Sequence, residues 1–331
     1  METAFTRHTG VEVPLICGAM YPCSNPELVG AVAAAGAMAV VQPISLTYVH
    51  GHELREGLRL IHRLSGGKPF GFNALVEASS KTYEKRMRAW VDVALEEGVR
   101  FFVTALGNPR WVVEAVHAAG GVVYHDVTER RWADKALEHG VDGLICVNER
   151  AGGHAGVRSA ATLYAELAGL GVPLVCAGGI GAPEDFRAAL DQGYAACQLG
   201  TRFIATTECR AHDDYKQAIV RAEPEDVVLT DKISGVPVAV INTPHVQRTG
   251  TRAGFVARRL LRHPRAKHWV RLYYTLRSIV QLKRASLQGA TYKDYFQAGK
   301  SVGGVHEVLP AGEVVRRFAA ALEAAAARHV G

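Results

Sequence analysis

Along the first two-thirds of the chain, short apolar runs alternate with stretches in which apolar positions recur every three or four residues. The runs span 14–20, 37–43, 69–76, 99–106, 122–127, 142–148, 173–180 and 195–203. The helical patterns between them span 27–35, 54–64, 81–97, 110–119, 130–139, 160–170 and 184–192. Runs this short and this continuously apolar predict strands of a parallel sheet buried on both faces. Gly36, Gly98, Gly120, Gly140, Gly171 and Gly193 follow the helical stretches, as helix C-termini favour. The count reaches eight near Thr201, where the rhythm stops. Eight strand–helix units predict an α/β architecture, a (β/α)8 TIM barrel. A doubly wound open sheet would carry GxGxxG after its first strand, and CGAMYPCS does not match it.

Beyond the barrel the pattern changes. The expected organisation is a barrel over 1–206 plus 311–331, with a mainly helical basic lid or substrate domain over 207–310. Within that insertion Trp269, Leu272, Tyr273, Leu276, Ile279 and Leu282 fall at helical spacing. Such a stripe would bury against the barrel mouth or a neighbouring subunit, which leaves a homodimer open. Lys267, Arg271, Arg277, Lys283 and Arg284 are left for solvent or a polyanion. The formal charge of +6 is very uneven: residues 232–293 hold 13 Lys or Arg and no Asp or Glu. The rest of the chain carries 25 basic against 32 acidic residues. A basic segment on an otherwise acidic body suits the phosphates of coenzyme A or an acidic acyl carrier protein. No nucleic-acid-binding module accompanies it.

At 331 residues and 48% hydrophobic the chain can bury a large core. It has no 18-residue uncharged apolar run that would predict a transmembrane helix. The opening METAFTRHTG has no apolar signal region. Cys17, Cys23, Cys146, Cys176, Cys197 and Cys209 include no CxxC pair, and several lie in strand-like runs. They are expected to be reduced thiols in a cytoplasmic protein.

In such a barrel chemistry sits at the C-terminal strand ends. CAGGIG places Gly178 and Gly179 after the seventh strand, and LGTRF places Gly200 and Thr201 after the eighth. Backbone N–H groups there can converge on a phosphate, with the Thr201 hydroxyl as a further donor. Ala19, Met20, Gly152 and Gly153 leave room for a planar ring, and Asn73 can bond its edge. Flavin mononucleotide (FMN) has both parts, and supplies redox chemistry that side chains cannot.

The succession GAM, GFN, AGGHAG, AGGIG, LGTRFIAT and FQAGKSVGGV resembles the nitronate monooxygenase family, formerly the 2-nitropropane dioxygenases. The same superfamily includes flavin-type enoyl-acyl carrier protein reductases and NADH:quinone reductases. The resemblance runs from about residue 14 to 320 and implies FMN as cofactor. It implies that Ala19 and Met20 lie against the ring, Asn73 at its polar edge and Gly152 beside it. His154 would face the substrate, and Ala177, Gly178, Gly179, Gly200 and Thr201 would hold the phosphate. One position departs. Many relatives have lysine near the N1–C2 edge of the flavin where this chain has Asp126; either His125 supplies the positive charge, or the redox balance differs.

His154, in the glycine-rich ERAGGHAG, has the ordinary pKa range for proton transfer near neutrality. The leading expectation is oxidative denitrification of an alkyl nitronate with oxygen, giving a carbonyl compound and nitrite. The alternative is an NADH- or NADPH-dependent reductase of an enoyl thioester or quinone, with His154 orienting the acceptor. Glu149, Tyr21, Gln42 and Tyr124 are weaker candidates for the pocket. No His or carboxylate cluster suggests a metal.

Overall fold

The computed structural model describes residues 2–77, 81–232, 236–252, 287 and 295–328. The stripe and most of the basic residues expected on the arm lie outside these. Eight parallel strands close into a barrel in chain order: β1 (Val13–Cys17), β2 (Ala37–Val41), β3 (Gly71–Val76), β4 (Phe101–Leu106), β5 (Val122–Val127), β6 (Gly143–Val147), β7 (Leu174–Ala177) and β8 (Ala196–Leu199). β8 pairs with β1 through Leu15–Cys197, Ile16–Gln198 and Cys17–Leu199, which closes the ring. Each strand lies within or one residue beyond its predicted run. The eighth run is the exception: Thr201 opens a short helix instead of ending a strand.

Strand periodicity sorts side chains into two cores. Ile16, Met38, Val40, Phe101, Val103, Tyr124, Ile145, Val175, Ala177 and Ala196 fill the barrel interior together with Phe5. The alternate residues, among them Leu15, Phe72, Phe102, Val123, Leu144 and Cys176, pack against the surrounding helices. Phe5 comes from α1 (Ala4–Thr9), which the apolar pattern did not reveal because the helix is only 6 residues long. It stacks edge-on against Phe101 and Tyr124, at 5.7 and 5.8 Å, and plugs the barrel floor.

The helices α2 (Pro26–Ala34), α3 (Leu54–Leu64), α4 (Lys81–Glu96), α5 (Arg110–Ala118), α6 (Arg130–Leu137), α7 (Ala160–Leu167) and α8 (Pro183–Asp191) cover the outside. α9 (Thr201–Ile204) follows β8 directly. The chain then leaves the barrel for α10 (Asp213–Arg221), an antiparallel pair of β9 (Val227–Thr230) with β10 (Val238–Ile241), and α11 (Pro244–Thr249). It returns at Tyr295. The final helix, Ala311–Arg328, packs against α2, α8 and β1, taking the place of the helix that would follow β8. Phe318 meets Phe186 of α8 there, ring centroids 5.5 Å apart. All six cysteines are buried thiols.

Candidate active site

The barrel mouth is built by strand parity. Phe72, Ala74 and Val76 face the helices, so Asn73 between them faces inward. The same reasoning turns Asp126 and Gln198 inward, since Tyr124 and Ala196 point to the interior and Val127 and Leu199 do not. Asn73, Asp126 and Gln198 thus place polar groups inside an otherwise apolar barrel. Asn73 Oδ1 and Asp126 Oδ1 are both buried without a hydrogen-bond partner. Buried polar atoms are almost always satisfied, so two orphans at one mouth are what a ligand would leave behind when absent. Burial raises the Asp126 carboxyl to about 7.

His125 is not at this site. It lies on the opposite face of β5, among the helices, with Nδ1 2.8 Å from Thr104 Oγ1. Burial, with a smaller contribution from His139, lowers its pKa to about 4. It is neutral near pH 7 and faces away, so it does not supply the positive charge expected of it. Tyr124 is also removed from the mouth: its hydroxyl meets His8 Nδ1 at the floor, 3.1 Å away. Gln42 is buried, with Oε1 accepting from Ser45 N–H at 2.6 Å, and Glu149 is exposed.

The loop after β7 meets the loop after β6. Gly178 and Gly179 take φ of +117° and +81°, a region that side-chain-bearing residues rarely enter. A Cβ on Gly178 would also strike Asn148 Oδ1 at 2.5 Å and Ala151 N at 2.6 Å. Asn148 ties the loops together. Its Nδ2 donates to Gly178 O at 2.9 Å, and its Oδ1 accepts from Arg150 N–H at 2.8 Å. The Arg150 side chain lies over Gly179, its Nε 2.8 Å from where a Cβ would stand. Arg150 forms no ion pair among the described residues. Sequence reading missed Asn148, Arg150 and Gln198. Strand parity signals only Gln198, because the other two depend on how loops fold back. At the neighbouring corner Met20 Sδ lies 3.4 Å from the Cβ position of Gly200. Ala177 is buried in the barrel interior and Ala19 packs at its edge.

Why bulk is stripped around His154 is now clear. Gly152 N and Gly299 N belong to chain segments in backbone contact. A Cβ on Gly152 would stand 2.9 Å from Gly299 N, and one on Gly299 would stand 2.6 Å from Gly152 N. Gly153 bridges Ala239 of β10, which donates its N–H to Gly153 O at 2.8 Å. Ala298 N–H in turn reaches Ala239 O at 3.3 Å. The returning segment is clamped by Tyr215 of α10, stacked on Phe296 at 4.7 Å and 10°. Gly299 N–H donates to Thr201 Oγ1 at 3.0 Å, leaving the Thr201 O–H to donate elsewhere. The loop carrying His154 is therefore held by β10 and by residues 296–299. The His154 side chain is exposed at the mouth, and desolvation by the surrounding protein lowers its pKa. Among the described residues, no group of three His, Cys, Asp or Glu could hold a metal. None of their helices is long and apolar enough to cross a membrane.

The Nitronate monooxygenase family profile matches residues 2–320. The (3aS,4S,5R,7aS)-5-hydroxy-7a-methyl-1-oxo-octahydro-1H-indene-4-carboxyl-CoA dehydrogenase of Rhodococcus jostii is 30% identical, over 78% of this chain and 71% of its own. A nitronate monooxygenase of Pseudomonas aeruginosa is 29% identical, over 71% of this chain and 78% of its own. Among solved structures, a point mutant of FabK from Thermotoga maritima superposes with a TM-score of 0.80 at 25% identity, covering 100% of this chain and 99% of that one. The closed barrel, the paired glycine loops and the AGGH loop on β6 all fall within the matched span, and the chain belongs to the nitronate monooxygenase family of oxidoreductases.

Proposed function

We propose that the chain is an FMN-dependent oxidoreductase acting on a coenzyme A-linked acyl substrate, with NADH or NADPH as the second partner. The carrying observation is the similarity to a carboxyl-CoA dehydrogenase, that of Rhodococcus jostii; beside it, a buried acid, Asp126, stands inside the mouth with no cation facing it among the described residues, and His125 is turned away. Negative charge on a reduced ring would find no fixed counterion among the described residues there, a departure from the lysine that the nitronate monooxygenase resemblance implies. The run of 13 basic residues over 232–293, which suits the phosphates of coenzyme A, supports the same reading.

The residues present fit the cofactor. Backbone amides of Gly178, Gly179 and Gly200, with the Thr201 hydroxyl, would hold the phosphate beside Ala177. The Arg150 guanidinium adds a charge-assisted donor there. Ala19, Met20 and Gly152 would border the ring, with Asn73 and Asp126 at its polar edge. FMN supplies two-electron chemistry when bound. His154, its pKa lowered by desolvation, would orient the acyl carbonyl and exchange a proton with the substrate carbon. The second reading, oxidative denitrification of a nitronate, is favoured by the family profile and the Pseudomonas aeruginosa relative.

Anaerobic mixing of the flavin-loaded protein with NADH, NADPH or propionate 3-nitronate separates the two. Bleaching by a nicotinamide, with reoxidation by an enoyl-CoA and no response to nitronate, is expected. Reduction by nitronate alone would restore the monooxygenase reading. A protein that binds no flavin would end both.

A further inference from the structure

We propose that Asp126 binds the flavin as a neutral carboxylic acid, donating its O–H to the carbonyl side of the pyrimidine edge while Asn73 accepts from the adjacent ring N–H. This rests on the flavin reading and deepens it. The geometry supplies both halves. Asp126 and Asn73 face into the same mouth from β5 and β3, each with an unsatisfied buried oxygen. The pyrimidine end of an isoalloxazine presents neighbouring C=O and N–H groups, which ask for one donor and one acceptor. A carboxylate can only accept, so with Asn73 presenting its buried Oδ1 a charged Asp126 would leave a ring carbonyl unanswered. A protonated Asp126 completes the pair.

The surroundings favour the proton. β4 offers Phe101, Val103 and Ala105 on the inner face, and β6 offers Ile145 and Val147. On β5 itself Tyr124 sits two residues below, with its hydroxyl at the floor on His8. Cys146, on the outer face of β6, is the thiol that senses Asp126, and burial keeps it undissociated. His125 and His139 belong to the helical side, and His154 in the loop above is held toward its neutral form by burial. None of these groups is a cation that would pull Asp126 into its charged form, and burial alone lifts it to about 7.

The test reads binding, not turnover. Riboflavin lacks the phosphate, so its pH dependence reports only the ring end. Its Kd for the apoprotein is measured by fluorescence quenching from pH 5.5 to 9, for the wild type and for Asp126→Asn. For the wild type, Kd should be flat at low pH and rise about tenfold per unit above about pH 7, as the donor is lost. Asp126→Asn carries a permanent N–H donor of the same size and should remove that slope. The infrared C=O band of a protonated carboxyl, absent in Asp126→Asn, should persist in the flavin-loaded wild type at pH 8. A wild-type Kd that is flat, or that tightens with rising pH, overturns the proposal while leaving flavin binding intact. Failure of both riboflavin and FMN to bind at any pH overturns the flavin reading and this inference with it.

Discussion

Two neighbouring residues on β5 pull stability in opposite directions with pH. Asp126 has its folded-state pKa raised to about 7 from an ordinary 3.8. The folded chain therefore holds its proton more tightly than the unfolded one. Its contribution is intact below 3.8 and is lost as pH rises toward 7, with an upper bound of about 4 kcal/mol. His125 is lowered to about 4 from 6.5, so the unfolded chain binds the proton better. Its contribution is intact above 6.5 and is lost as pH falls toward 4, by about 3 kcal/mol at most. The windows overlap, so wild-type stability should look nearly flat between pH 4.5 and 6.5 as far as these two groups decide it. Urea unfolding of the single variants exposes the parts. Asp126→Asn should be more stable than wild type at pH 8, with the gain vanishing near pH 4. His125→Gln should instead gain at pH 4.5 and not at pH 8. A wild type whose stability climbs steeply with pH and is unaltered by His125→Gln would contradict the neutral, outward-facing histidine. At this scale His154 has a separate outcome: His154→Ala should keep flavin affinity and lower turnover by roughly 10²- to 10⁴-fold.

Among elements, the two ends of the proposed flavin site can be perturbed independently. Gly178 combines positive φ with a 2.5 Å approach to Asn148 Oδ1. Gly178→Ala should cost about 1–3 kcal/mol through strain and displace the amides proposed to meet the phosphate. Arg150→Ala, by contrast, leaves the backbone in place and removes only a charge. It should weaken FMN binding severalfold while leaving riboflavin binding unchanged, as parallel quenching titrations would show. Equal losses for both ligands would remove Arg150 from the phosphate end.

The same elements show what was legible in advance. Each barrel strand was readable because burial on both faces makes its run continuously apolar, and Gly98 and Gly120 end helices at φ of +86° and +72° as their positions suggested. Gly178 and Gly179 were readable as a turn that side chains disfavour, and both take positive φ. Asn148 and Arg150 were not, since their role depends on the β6 loop folding across the β7 loop. His125 was misplaced because a strand's two faces differ by one residue, and parity can be assigned only once the register is known. The AGGH glycines were read as space for a ring, whereas for Gly152 the Cβ position is taken up by the backbone at Gly299.

For the whole molecule, stability and chemistry are separated along the barrel axis. The floor is sealed by Phe5 against Phe101 and Tyr124, and the wall is completed by a helix from the far end of the chain, through Phe318 on Phe186. Neither phenylalanine comes near the strand C-termini where the glycine loops, Asp126 and His154 gather. Phe5 is fully buried and Phe318 is 2% exposed, so each truncation to alanine opens a cavity worth about 3–5 kcal/mol. The last helix also closes a loop of more than a hundred residues, so Phe318→Ala should destabilise the barrel wall although it is remote in sequence from β1 and α8. Both Phe5→Ala and Phe318→Ala should lower the urea midpoint substantially, yet at low urea their FMN affinity should match the wild type. Gly178→Ala and Arg150→Ala should do the reverse in proportion, losing more affinity than stability. The charged segment gives the third axis. If residues 232–293 draw in the phosphates of coenzyme A, KM for an acyl-CoA should rise severalfold between low and physiological salt, as attraction is screened. KM for the matching acyl-N-acetylcysteamine, which has no phosphate, should not move. A thioester pair that responds identically to salt would show that the basic segment serves something other than the substrate carrier.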